Sequence, residues 1–231
     1  MEYAQLKLGA DGVEWIHAAS LEIGRLAQGI NPHMPTGSDT IHFIKHTDKP
    51  FDRKATYLRI VTSVRTNKAE SKRVRFTVGG DRVDYPGDTS TPTVDLTTIK
   101  IQLNSVLSTP DAKFMTADIS DFYLNTPLPR KEYMRIPVKD IPQCVIDQYN
   151  LAPLVHNGQV MTEIRKGMYG LPQAGLLAHD LLKDRLALDG YMPANHTPGF
   201  FSHSTLPISF TLCVDDFGIK YVGTDAAQHL I

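Results

Sequence analysis

Cysteine is nearly missing from this chain. Cys144 and Cys213 are the two that occur in 231 residues, far apart and outside any Cys-x-x-Cys spacing. A disulfide framework or a zinc site therefore has no support. No apolar run approaches the roughly 20 residues that cross a bilayer. Met1 to Ala10 lacks the basic-then-apolar layout of a secretory leader. The reading is of an intracellular, reduced protein, in a cytoplasmic particle or the nucleus. Internal repeats, low-complexity stretches and Gly/Ser linkers are also lacking. The net charge of −1 excludes a chain that is basic throughout. A Gly-x-Ser-x-Gly elbow is missing too, so nine histidines do not make a serine hydrolase. His42 and His46 stand four residues apart, but no further ligands accompany them, and they read as surface residues.

What is present is an ordinary globular balance, 42% hydrophobic and 21% charged. Asp11 to Gln28 reads as an amphipathic helix: Ile16, Ala19, Ile23, Leu26 and Ala27 recur at helical spacing, and Asp11 and Glu14 stand as N-cap and N3. Asn31 to Thr40 reads as loop. Tyr57 to Val64 is rich in β-formers, and Val74, Phe76 and Val78 alternate with Arg73, Arg75 and Thr77. Further strands are expected at Lys113–Ile119, Glu132–Ile136, Val160–Ile164, Ile208–Val214 and Phe217–Val222. Helices are expected at Asp95–Leu107, with Leu96, Ile99, Leu103, Val106 and Leu107 on one face, and at Pro172–Leu188. Thr224 or Asp225 would cap one more helix. Strands mixed with a few helices favour α+β over repeating βαβ.

Charge is unevenly spread. From Arg53 to Arg75 the chain carries Arg53, Lys54, Arg59, Arg65, Lys68, Lys72, Arg73 and Arg75 against Glu70 alone. A solvated hairpin and a phosphate-binding surface both fit this pattern.

Three segments carry chemistry. In Phe210-Thr-Leu-Cys-Val-Asp-Asp-Phe-Gly-Ile-Lys-Tyr221, two adjacent carboxylates join two apolar runs. In Met115-Thr-Ala-Asp-Ile-Ser-Asp-Phe-Tyr-Leu-Asn125, a strand ends at Asp118. Strand ends set side by side in one sheet can hold two divalent cations about 3.5–4 Å apart for phosphoryl displacement. Mg²⁺ suits such hard oxygens. The third segment, Arg165-Lys-Gly-Met-Tyr-Gly-Leu-Pro-Gln-Ala-Gly175, brings glycines to a helix start. Taken singly, each segment also reads as an ordinary turn, strand end or loop-to-helix junction.

Their order, with the basic hairpin first, resembles the reverse transcriptase domain of LTR retrotransposons, most like the copia type, over roughly Tyr57 to Val222. The resemblance implies an α+β fold: a right-hand polymerase palm, an antiparallel sheet packed on helices, with a fingers subdomain and the thumb missing. Residues 1–56 would lead into the fingers, 57–112 form them, and 113–231 form the palm. The implied activity is RNA-directed DNA synthesis, adding dNMP to a primer 3′-hydroxyl with two Mg²⁺ ions, Mn²⁺ being an alternative. Asp118, Asp215 and Asp216 would be the catalytic, metal-binding carboxylates, Asp118 and Asp215 ligating both metals and Asp216 less directly. Arg75, Lys72, Lys68, Asp121, Phe122, Tyr123 and Gln173 would contact the nucleotide. The partners would be an RNA or DNA template with its primer, dNTP, and the remaining thumb and RNase H regions of the same polyprotein; no membrane is involved. The alternative is a truncated, inactive nucleic-acid-binding remnant. The chain departs from the family at Cys213, where Tyr is usual, at Phe122, where a small residue is usual, and at Gly175-Leu176-Leu177-Ala178, which lacks the usual Arg and Trp.

Overall fold

A computed structural model describes residues 2–68 and 70–231. Met1 and Ala69, the latter within the polar connection of the basic hairpin, lie outside the described residues. The chain folds as mixed α+β, with two five-stranded sheets and six helices among the described residues. It forms two compact units, each discontinuous in sequence. One holds 1–87 and 123–174, the other 88–122 and 175–231. No described helix is long and apolar enough to cross a membrane.

The first unit contains α1 (Tyr3–Leu6), α2 (Gly12–Leu26), β1 (Ile41–Ile44), β2 (Ala55–Val64), β3 (Lys72–Val78), β5 (Pro127–Pro137), α4 (Gln143–Gln148) and β6 (Gln159–Lys166). Its sheet runs β1-β6-β5-β2-β3. All its pairings are antiparallel except β2 with β5, which is parallel. Ile23 and Leu26 of α2 and Phe76 of β3 are fully buried. Edge strand β3 would leave N–H groups unpaired, and buried Glu22 of α2 accepts the Phe76 N–H at 3.1 Å. The expected helix over 11–28 is therefore present, but its cap is not. The Asp11 carboxylate takes the Lys72 ammonium at 2.5 Å instead. A charge-assisted bond to an incoming cation outcompetes a neutral backbone donor.

The second unit contains α3 (Leu96–Ser108), β4 (Ala112–Asp118), β7 (Tyr191–Pro193), β8 (Phe200–His203), β9 (Ile208–Cys213), β10 (Asp216–Val222) and α6 (Thr224–Leu230), with nearly all of α5 (Ala174–Leu188). Its sheet, β4-β10-β9-β8-β7, is antiparallel throughout. Period-2 alternation puts Phe210, Leu212, Phe217 and Ile219 on one face, where Leu182 and Leu186 of α5 and Ala226 and Leu230 of α6 pack on them. The rings of Phe201 and Phe210 stack at 5.1 Å, and Phe217 lies 5.0 Å from Phe210.

Asp95 caps α3 as the sequence suggests, accepting the Thr98 N–H at 2.9 Å. The apolar face of α3 is not the face it packs. Leu96 is 64% and Leu107 87% exposed, whereas Gln102 is buried. Gln102 donates to the Ser209 carbonyl at 3.1 Å, and Lys220 of β10 donates to Ser105 and Thr109. The helix is thus anchored through polar groups, because the sheet face it meets is the polar one.

Phe210 sits at the centre of the second core with no exposure. Phe210→Ala is expected to cost about 3–5 kcal/mol of unfolding free energy, read as a drop in the urea midpoint. A loss below about 1 kcal/mol would show that this ring is not central.

Candidate functional site

The site is built on the β9–β10 hairpin. Cys213 and Asp216 are cross-strand partners, so Val214 and Asp215 form a two-residue loop. Such loops twist correctly only with positive φ at the first central position, which favours Gly, Asn or Asp. Here Val214 holds φ 62°. A β-branched side chain in the left-handed region is strained by roughly 1–3 kcal/mol. Two features hold it there. The pairing of β10 with both β9 and β4 fixes the strand beyond the loop, and the Ile119 N–H donates to the Asp215 carbonyl at 3.1 Å.

That last bond also defines the acidic pair. Asp118 is the Cα partner of Asp216, and the Ile119-to-Asp215 bond makes them a non-hydrogen-bonded pair, the closer of the two antiparallel kinds. Their Cβ atoms are then about 4.5–5.5 Å apart on one face. Asp118, Thr116 and Phe114 share that face with Asp216, Gly218 and Lys220, and with Cys213, Thr211 and Ser209. It is the face opposite the hydrophobic core. Both carboxylates are exposed, and Asp215 is half-buried. Neither Asp118 nor Asp216 has an ion pair among the described residues. Lys220, on the same face, is occupied by Ser105 and Thr109. Like charges directly opposed destabilise a sheet unless a cation offsets them.

Hard carboxylate oxygens on adjacent strands fit a divalent ion such as Mg²⁺. Yet among the described residues no three His, Cys, Asp or Glu side chains are grouped as metal ligands. The structure thus brings Asp118 and Asp216 together, with Asp215 beside them in the loop, and stops short of a closed cage. Asp121, with φ 54°, and Phe122, which is buried, follow in the same unit.

The other expected nucleotide contacts belong to the first unit. Arg75 of β3 lies over the Tyr169 ring at 4.1 Å, and Tyr123 meets the same ring edge-on at 5.2 Å. Arg75 and Tyr123 are therefore gathered, and Tyr169 is the residue between them that sequence reading did not single out. Its signal was its place among glycines. Gly170 holds φ 92°, and a Cβ there would collide with the Val78 backbone, while one on Gly167 would collide with the Tyr123 backbone. These close approaches seat the loop against β3 and Tyr123. Lys72 is engaged by Asp11 and lies over Trp15, and Lys68 is exposed in the hairpin connection.

Gln173 is 1% exposed. Its Nε2 donates to Glu132 at 3.3 Å, while its Oε1 is buried without a partner. Glu132, also buried, takes Arg53 at 2.7 Å and Arg130 at 3.0 Å. Gln173 is thus part of a buried charged network, closed to solvent as it stands.

Comparison of the chain with protein-family models gives no match, and comparison with curated proteins gives none either.

Two outcomes follow from strain and charge. Val214→Gly is expected to raise the unfolding free energy by about 1 kcal/mol, the relieved strain exceeding the added chain entropy; a lower urea midpoint would contradict it. In metal-free buffer, Asp216→Asn is expected to raise the melting temperature by removing the repulsion with Asp118. A lowered melting temperature would mean the pair is not repulsive.

Proposed function

We propose that this chain is the fingers and palm part of an RNA-directed DNA polymerase resembling the reverse transcriptases of copia-type LTR retrotransposons. The observation that carries the reading is the opposed Asp118–Asp216 pair beside the strained Val214 loop. Backbone strain and uncompensated like charge tend to persist where function maintains them. The order of motifs along the chain supports the same reading, with Asp118 first, the Gly-Leu-Pro-Gln segment next and Val-Asp-Asp last.

Asp118, Asp216 and Asp215 would hold Mg²⁺ or Mn²⁺. When bound, the ions supply charge that favours the ionised primer 3′-hydroxyl and offsets the leaving pyrophosphate. The primer 3′-oxygen would bond to the α-phosphorus of dNTP, and the bond to the β-phosphate oxygen would break. Asp118 and Asp216 are exposed on a face free of core side chains, so substrate phosphates can reach them. By the resemblance Arg75, whose guanidinium lies over Tyr169 within the first unit, would meet triphosphate oxygens. The Tyr123 ring, held by the same tyrosine, would limit the space beside the sugar. Template and primer would be gripped through their backbones, since a polymerase accepts any sequence.

The second reading, a nucleic-acid-binding remnant without turnover, draws on one observation: among the described residues no three His, Cys, Asp or Glu side chains are grouped. One experiment separates the two. Wild type is expected to extend a primed RNA template in the presence of Mg²⁺ and dNTP, and Asp118→Asn to lose at least about a hundredfold of that rate. Extension that survives Asp118→Asn refutes the carboxylate assignment. Template binding without extension in wild type selects the remnant.

A further inference from the structure

A cavity of about 600 Å³ opens in the first unit where β2 begins beside its parallel partner β5. His46, Lys49, Arg53, Lys54, Arg82 and Arg135 line it, with Asp81 and Asp84 as the acidic groups. Arg53 is neutralised by Glu132 at 2.7 Å. Lys49, Lys54, Arg82 and Arg135 have no carboxylate partner among the described residues.

The side chains are nonetheless placed. Lys49 donates to the Pro50 carbonyl at 2.7 Å and the Arg53 carbonyl at 2.5 Å. Arg135 donates to the Ala55 carbonyl at 3.1 Å. The Arg82 guanidinium lies over the Tyr57 ring at 5.0 Å, and the Tyr57 hydroxyl donates to Asp81 at 2.7 Å. These bonds orient the cations without cancelling their charge, and they occupy one of the two carboxylates. The imidazoles of His46 and His156 stack at 4.5 Å beside Arg135, extending the donor set.

Gathering cations around a concavity raises the local positive potential and costs Coulomb energy until an anion enters. A single carboxylate would leave most of that charge uncompensated. Two guanidinium forks and two ammonium groups match the oxygens of several linked phosphates.

We propose that this cavity is a binding site for a chain of phosphates, supplied either by a nucleic-acid backbone or by a free polyphosphate. It shares no residue with the Asp118–Asp216 pair, and it stands or falls apart from the polymerase reading.

The test uses two probes, a labelled oligothymidylate followed by fluorescence anisotropy and inorganic tripolyphosphate followed by calorimetry. The variant Lys54→Ser/Arg82→Ser/Arg135→Ser changes three exposed side chains. It is expected to bind at least one probe about tenfold or more weaker than wild type, with a shallower salt dependence. A charge-matched control, Lys100→Ser/Lys113→Ser/Arg185→Ser, is exposed and lies in the second unit. It should bind within about threefold of wild type. Loss of the oligothymidylate alone assigns the site to nucleic-acid backbone, and loss of tripolyphosphate alone to free polyphosphate. In wild type, the bound probe should also raise the melting temperature, which requires no variant. The proposal is overturned if wild type binds neither probe, if the triple variant binds both as wild type does, or if the control loses as much.

Discussion

The strand register of β10 is the constraint on which the second unit rests. Seven residues of β10 pair with β4, and six pair with β9 on the other side. Because side chains alternate with a period of two, a slip of one residue would move every apolar group from the core to the polar face. Burial of Phe210, Leu212, Phe217 and Ile219 forbids that slip. The same register sets Asp118 against Asp216. The acidic pair is therefore imposed by the core behind it, and its repulsion is borne by packing on the opposite face.

Strain and charge are concentrated at one end of this sheet. Val214 adopts a backbone conformation that its side chain disfavours, and the two carboxylates face each other with no ion pair to either among the described residues. Elsewhere the unit is locally consistent: Asp95 caps α3, and Lys220 is satisfied by two hydroxyls. Asp111, Asp121 and His196 of this unit also hold positive φ, but Val214 alone among them is β-branched, and such strain beside opposed charge is the pattern expected where function overrides stability. In the first unit the comparable feature is the basic cavity, where Lys49, Arg82 and Arg135 are oriented by carbonyls and a tyrosine ring and only Arg53 is paired with a carboxylate among the described residues.

Much of the fold was legible because the governing signals are local. Alternation at Arg73–Val78 and at Phe217–Val222 marked strands, and helical spacing marked α2 and α5. Short elements such as β1, β7 and β8 carry too few residues for a period to register. The packed face of α3 was not legible, because its apolar positions follow helical spacing without being the ones it buries. What decides its orientation is a distant polar surface that Gln102 and Lys220 reach. For the same reason no local pattern announces that 88–122 packs with 175–231. At the site, adjacent acidic residues at a strand junction were visible in the sequence, but the opposition of Asp118 and Asp216 needs register. The burial of Gln173 on Glu132 was invisible, because its partner lies forty-one positions away. The cavity cations likewise come from three separate stretches of chain, which no window of sequence joins.

The opposed Asp118 and Asp216 carboxylates are proposed to hold a divalent cation together. Titration with Mn²⁺, followed by paramagnetic broadening of backbone amide signals, probes that pair in place. Early, saturable broadening is expected, confined to the amides around Asp118 and those from Val214 to Phe217 and competed away by Mg²⁺. Broadening spread evenly over acidic surface residues, or none near these strand ends, would contradict it.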